Sequence, residues 1–68
     1  MLRIIEIVGV EEKADSKGNL YYRTHAVLED GDECVGFGKD FKIGDLVERF
    51  YDHAHDVTKM QKRKLDKH

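Results

Sequence analysis

The sequence predicts an α+β domain in which a three-stranded antiparallel β-meander packs against one long C-terminal α-helix. All six glycines lie within the first 44 residues, so turns are concentrated there. Beyond Gly44 the apolar residues recur in steps of three and one, which is typical of one helix face. With 68 residues, 40% of them hydrophobic and 38% charged, the chain suffices for a single domain spanning residues 1–68.

Three segments of the N-terminal half predict β-strands, at about residues 2–10, 20–28 and 33–37. The first segment is rich in isoleucine and valine, and the second alternates between two faces, as a half-buried strand does. Turn formers fill residues 15–19, between the first two strands. The Asp30-Gly31 pair is a strong hairpin signal before the third strand. Two tight turns therefore predict a meander.

The C-terminal half predicts a helix from about residue 45 to about residue 64. Its apolar side chains fall on one half of a helical wheel and its charged side chains on the other. Asp45 is placed to cap the first turn, and Glu48 follows three residues later, as a capping box requires. In this helix Phe50 and Tyr51 would join Tyr22 of the second strand in the core.

A second interpretation is all-β. It keeps Gly44-Asp45 as a turn and makes residues 46–51 and 57–62 two more strands, joined at residues 52–56. The result would be a five-stranded barrel of the OB type. It requires Arg49 to point where the apolar Val47 and Tyr51 point, or Leu46 to face water. The helix avoids this conflict and is the favoured prediction.

The distribution of charge is uneven. The formal net charge of −2 argues against a strong nucleic-acid binder. Residues 59–68 nevertheless carry +4, whereas residues 1–58 carry −6. A basic C-terminal end suits the helix dipole, and it also predicts salt-sensitive phosphate contacts. The basic residues proposed for these contacts are Lys59, Lys62 and Arg63.

One face of the second strand is a candidate site. Tyr21, Arg23 and His25 alternate with the predicted core positions, so they share the face that the helix leaves open. An aromatic ring between basic groups on an exposed sheet is one arrangement that binds nucleic acid. A solvated strand face, with the ring covering a cross-strand neighbour, is the structural alternative.

Residues 8–57 contain a series of short motifs: Gly9-Val10, Gly18 followed by Tyr21, Val35-Gly36-Phe37, and residues 50–54, Phe-Tyr-Asp-His-Ala. In these motifs the chain resembles AP2-type and integrase N-terminal DNA-binding domains. Those domains are three-stranded sheets backed by a C-terminal helix, and their exposed sheet face enters the DNA major groove. By position, the resemblance implies contacts from Lys13, Lys17, Tyr21, Arg23 and His25.

A second motif is formed by residues 41–47, Phe-Lys-Ile-Gly-Asp-Leu-Val, followed by Phe50-Tyr51-Asp52. Here the chain resembles small phage and plasmid single-strand-binding proteins with OB folds. This resemblance accompanies the barrel interpretation, and it implies single-stranded DNA as the ligand.

Signals for catalysis, cofactors and metals are nearly absent from the sequence. There is no glycine-rich phosphate loop, no CxxC and no HExxH. On a helix, His53 and His55 would lie ~200° apart and could not share a metal, whereas in the barrel they could face one side of a turn.

Cys34 is expected to be a buried strand residue. A single cysteine without a signal peptide predicts a cytoplasmic protein, and residues 2–10 are too short and too charged to span a bilayer.

The sequence therefore predicts a small non-catalytic DNA-binding domain, from a phage or mobile element, that uses an exposed sheet face and a basic C-terminal end. The alternative is a protein-interaction module or small regulator or inhibitor. It would act through the acidic hairpin at residues 29–33 or through the helix face, and it includes pairing as a homodimer.

Overall fold

In the computed structural model, which describes residues 1–62, the chain forms an all-β closed barrel. Its strands are β1 (Leu2–Ala14), β2 (Leu20–Leu28), β3 (Glu33–Phe37), β4 (Leu46–Asp52) and β5 (Val57–Lys62). The order around the barrel is β1-β2-β3-β5-β4, and the start of β1 closes the barrel against β4. Neighbouring strands are antiparallel except for β3 and β5, which are parallel. The five-stranded all-β interpretation therefore describes the fold.

The prediction of an α+β fold with a C-terminal amphipathic helix is wrong. Residues predicted as helix form β4 and β5, which pair from Val47 with Lys62 to Asp52 with Val57. The part of the chain that the structure describes contains no helix. The three predicted N-terminal strands are present, with β1 extending to Ala14, but they are part of a barrel and not an open β-meander. Residues 63 and 64 of the predicted helix lie outside the described residues.

Arg49 explains why β4 did not show the alternation of a strand. Its Cα partner is the buried Met60, so Arg49 projects toward the interior side of the barrel. Its guanidinium reaches the turn between β2 and β3, where it pairs with Asp30 and lies 2.7 Å from Asp32. Arg49 thus lies on the face of β4 that carries the core, with its side chain still 34% exposed, and two distant carboxylates receive its charge.

In the segment that was predicted to be a helix, local polar contacts stabilise turns. The backbone N–H of Lys42 donates to the Asp45 carboxylate over 2.9 Å, so Asp45 belongs to the loop before β4 and not to a capping box. Between β4 and β5, the Ala54 N–H donates to Asp52 over 3.0 Å. Asp56 ends this turn with φ of 56°, a left-handed conformation that Asp and Asn tolerate better than most residues.

The core is small and lies inside the barrel. Thr24 is its one buried polar side chain among residues 1–62, and the Thr24 hydroxyl donates to the Gly38 carbonyl over 2.7 Å. The buried apolar residues are Ile4, Ala26, Leu28, Cys34, Val47 and Met60. Phe50 and Tyr51, which the helix prediction placed in the core, are 42% and 46% exposed.

Phe41 fills a space that Gly36 leaves open. Gly36 is buried on β3, and the Phe41 ring lies where a Cβ at this position would project. Phe41 also packs against the core cluster, and the Lys62 ammonium lies 5.6 Å from the centre of its ring. The loop between β3 and β4 therefore contributes one aromatic ring to the packing of the barrel.

Candidate nucleic-acid interface

An open groove of about 980 Å³ runs over the outer surface of β2, β3 and β5 and reaches Phe50 on β4. Cα pairing places the outward residues of these strands side by side. Val35 is paired with His25 of β2 and with Lys59 of β5, and Lys59 is in turn paired with Phe50. Because directly paired residues project from the same face of a sheet, the four side chains form one continuous row.

A stacked pair of aromatic rings lies at one end of this surface. The rings of Tyr21 and Phe37 are nearly parallel, with an interplanar angle of 8° and centroids 5.8 Å apart. Tyr21 is half-buried, but Phe37 is 79% exposed. This is the stacked geometry that aromatic rings favour. A large apolar surface is thus held in place and open to solvent.

Cationic side chains flank the aromatic pair. Arg23 is paired with Phe37 across β2 and β3, and Lys13 is paired with Tyr21 across β1 and β2. Within residues 1–62, neither Arg23 nor Lys13 makes an ion pair of 4.0 Å or less. The Glu11 carboxylate, whose residue is the Cα partner of Arg23 on β1, is nevertheless near enough to interact electrostatically with both cations.

Lys59, on β5, is held by a carboxylate. Its ammonium lies 2.7 Å from Asp52, whose side chain is 18% exposed. Asp52 also lies 2.9 Å from His55 Nδ1. Hydrogen bonds from Lys59 and His55 hold the pKa of Asp52 well below its usual range. The carboxylate is therefore ionised at neutral pH and neutralises the cation in the middle of the groove.

The structure brings together several of the predicted site residues. Tyr21, Arg23 and His25 share one face of the sheet, as predicted, with Lys13 beside Tyr21 on β1, and Lys59 joins them through β3. The His25 ring, however, lies between two carboxylates, 2.6 Å from Glu11 and 3.9 Å from Glu33. The hydrogen bond from His25 lowers the pKa of Glu11. His25 is therefore already engaged within the sheet.

The remaining predicted site residues are less central. Lys17 lies in the turn between β1 and β2, where its backbone N–H donates to Asp15 over 2.9 Å. Lys62 lines one end of the groove, but its ammonium is bound to the Asp40 carbonyl and lies 3.2 Å from Asp45. Arg63 lies outside the described residues.

Sequence reasoning missed Phe37 and Phe50 as site residues. A signal for Phe37 was present in the sequence, because strand alternation places Val35 and Phe37 on one face of β3. The structure shows that this face points outward, since the buried residues of β3 are Cys34 and Gly36. No comparable signal existed for Phe50. Its exposure depends on β4 being a strand, and the local pattern indicated a helix.

The other polar clusters serve the barrel itself. The acidic hairpin at residues 29–33 binds Arg49 through Asp30 and Asp32, and the Glu29 carboxylate accepts the Arg3 backbone N–H. Burial raises the pKa of the Cys34 thiol. No group of three His, Cys, Asp or Glu side chains within residues 1–62 is arranged to hold a metal ion.

Comparisons of the chain with protein-family models, with curated proteins and with solved structures found no match. Among the described residues, no helix has the length and apolar character needed to cross a membrane.

Proposed function

We propose that this protein is a non-catalytic domain that binds single-stranded DNA on the outer surface of β2, β3 and β5. The observation that carries the proposal is the exposed stack of Phe37 on Tyr21. Phe37 leaves 79% of its surface open to solvent and therefore available to a base. Stacking of a base on such a ring contributes about 1–3 kcal/mol and tolerates any base.

The positions of the cations support the same ligand. Arg23 and Lys13 lie beside the ring pair, where phosphates adjoining a stacked base would lie. Arg23 can also stack on bases through its planar guanidinium. Lysine and arginine residues following Lys62 in the sequence add positive charge beyond β5. Few cations face the groove, so we expect the affinity to come largely from stacking.

The spacing of the aromatic residues favours single strands over duplex. Phe37 on β3 and Phe50 on β4 are separated by β5, and adjacent strands lie about 4.8 Å apart, so the backbones that carry the two rings are about 10 Å apart. Bases in a duplex stack on one another and cannot reach separate rings, whereas a single strand can spread its bases. OB-type barrels bind oligonucleotides on the corresponding face, so the barrel architecture adds support by analogy.

The acidic hairpin does not favour the alternative of a protein partner. Two of its carboxylates are bound to Arg49 within the barrel, and the helix face that the alternative also invoked is replaced by β4 and β5. We therefore retain DNA as the proposed ligand. A cytoplasmic setting belongs to the proposal, since the one cysteine, Cys34, is unpaired and buried.

Fluorescence anisotropy with labelled oligonucleotides tests the proposal. Homopolymeric DNA single strands of about 12 nucleotides, a length within the range of OB-type sites, would be compared with the matching duplex and with RNA of the same sequence. We expect saturable binding of single-stranded DNA at low salt and weaker binding of the duplex. Tighter binding of RNA would change the assigned ligand. Absence of binding to any of these at tens of micromolar protein would refute the proposal.

A further inference from the structure

Lys59 is the cation nearest the middle of the groove. Its Cα is paired with Val35 on one side and with Phe50 on the other, so a DNA strand passing between Phe37 and Phe50 would cross it. Its ammonium nevertheless contacts the carboxylate of Asp52 at 2.7 Å. The most central positive charge on the proposed DNA path is thus already paired.

Asp52 is held in place independently of Lys59. Its carboxylate accepts the backbone N–H of Ala54 over 3.0 Å and lies 2.9 Å from His55 Nδ1. Both contacts lie within the turn that joins β4 to β5. If a phosphate drew Lys59 away, these contacts would keep the Asp52 carboxylate where it is. The phosphate would then meet a fixed negative charge directly behind the ammonium.

We propose that Asp52 restrains Lys59 and thereby determines how the groove recognises its ligand, by base stacking with little contribution from phosphate binding. The inference rests on the proposed function and adds to it a residue that sets the ligand preference. A groove of this kind favours single strands with accessible bases and discriminates against polyanions that offer phosphates alone. Removing the Asp52 charge should convert it into a stronger and more salt-dependent binder.

The test compares Asp52→Asn with Asp56→Asn in titrations of single-stranded DNA at several salt concentrations. Asparagine retains the side-chain oxygen that Ala54 requires and releases Lys59 to contact a phosphate. At low salt we expect Asp52→Asn to bind DNA about two- to fivefold more tightly, the range of an exposed ion pair. Its plot of log affinity against log salt should become steeper by about 0.7, the value for one added phosphate contact with a single strand.

Asp56→Asn is the matched control. It removes the same charge from the same turn, asparagine tolerates its φ of 56°, and Asp56 makes no ion pair with Lys59. We expect its salt slope to equal that of the wild type. The double variant Asp52→Asn with Lys59→Gln should lose the added slope, because Lys59 is the residue that supplies it.

A second measurement is independent of DNA. Acetylation of lysines by a limiting amount of an activated ester, followed by peptide mass spectrometry, should label Lys59 more slowly than the exposed Lys17, and Asp52→Asn should remove the difference. If Lys59 and Lys17 are acetylated at equal rates in the wild type, Asp52 does not restrain Lys59. The proposal is also wrong if the wild type binds DNA and Asp52→Asn has the same salt slope as the wild type. If Lys59 is protected but neither protein binds DNA, the proposed function fails and the role of Asp52 in recognition fails with it.

Discussion

Phe37 stacks on Tyr21 with an interplanar angle of 8° and still exposes 79% of its surface. The ring is therefore oriented by Tyr21, and residues 1–62 leave most of its surface uncovered. An orientation that is set before binding reduces the entropy lost when a base stacks on the ring. The proposed DNA contact is thus assigned to one ring, Phe37, and a substitution of that residue tests it.

Replacing Phe37 by alanine should weaken binding of single-stranded DNA by about 1–3 kcal/mol, the contribution of one stacked base. The free energy of unfolding should fall by only about 0.5–1.5 kcal/mol, the contribution of the aromatic pair that Phe37 forms with Tyr21. Anisotropy titrations and urea unfolding of the same protein measure the two effects separately. Ile43→Ala, which removes an exposed apolar side chain away from the groove, is the control and should leave affinity unchanged. Equal affinities for Phe37→Ala and the wild type would exclude Phe37 as a base platform.

Gly36→Ala should destabilise the barrel by about 1–3 kcal/mol, the usual cost of overpacking a core. The added methyl group would overlap the Phe41 ring and would also approach Met60. Urea unfolding would measure the loss, and a further Phe41→Leu change should recover part of it. Gly9→Ala is the control, because no atom lies within 4 Å of the position of its Cβ. A Gly36→Ala protein as stable as the wild type would show that Phe41 does not occupy this space in solution.

Stability should fall as the pH drops below about 4, the ordinary pKa of aspartate in an unfolded chain. Backbone and side-chain hydrogen bonds lower the pKa of Asp45 and Asp52 in the folded protein. Because these folded pKa values are depressed, the unfolded chain takes up protons first, and the stabilisation is lost as the pH falls through the folded values.

The Asp45→Asn variant isolates one part of this effect. It should be less stable than the wild type at about pH 6, and the difference should shrink as the pH approaches about 3. Urea midpoints measured across this range would show it. Glu12→Gln, which removes an exposed carboxylate without an ion pair among the described residues, should show a smaller difference at each pH. A difference for Asp45→Asn that does not vary with pH would contradict the assigned role of Asp45.

Cys34 should react with Ellman's reagent only when the barrel opens. Its side chain is buried, and burial raises the pKa of the thiol, so little thiolate forms at neutral pH. We expect slow labelling in buffer and complete labelling in concentrated urea, with Gly36→Ala labelled faster than the wild type. Rapid labelling of the native protein would show that the barrel opens locally around β3.

Much of the N-terminal half could be predicted from local patterns. The bounds of β2 and β3 agree with the prediction, since strict alternation and an Asp-Gly turn are local signals. The shared face of Tyr21, Arg23 and His25 followed from the same alternation and is confirmed, while their contacts with DNA stay a prediction. The AP2-like interpretation of that face assumed a helix behind the sheet, and no helix is present among residues 1–62.

The C-terminal half depended on contacts that no local pattern contains. Arg49 faces inward because Asp30 and Asp32, more than fifteen residues earlier, receive its guanidinium. Phe50 faces outward because β4 pairs with β5 in a register that sets Phe50 beside Lys59, on the face opposite the buried Met60. A strand is expected to place apolar residues inward and charged residues outward, and Arg49 and Phe50 do the reverse. The sequence of this segment therefore matched the spacing of a helix better than that of a strand.

By itself, the sequence determined the three N-terminal strands, their turns and the face that carries Tyr21 and Arg23, because these follow from interactions between near neighbours in the chain. Only the tertiary structure decided that the last strands close a barrel, that Phe37 and Phe50 face one groove, and that Asp52 holds Lys59 within it. These features depend on which strands lie side by side, and pairing across a barrel is set by long-range burial and charge compensation.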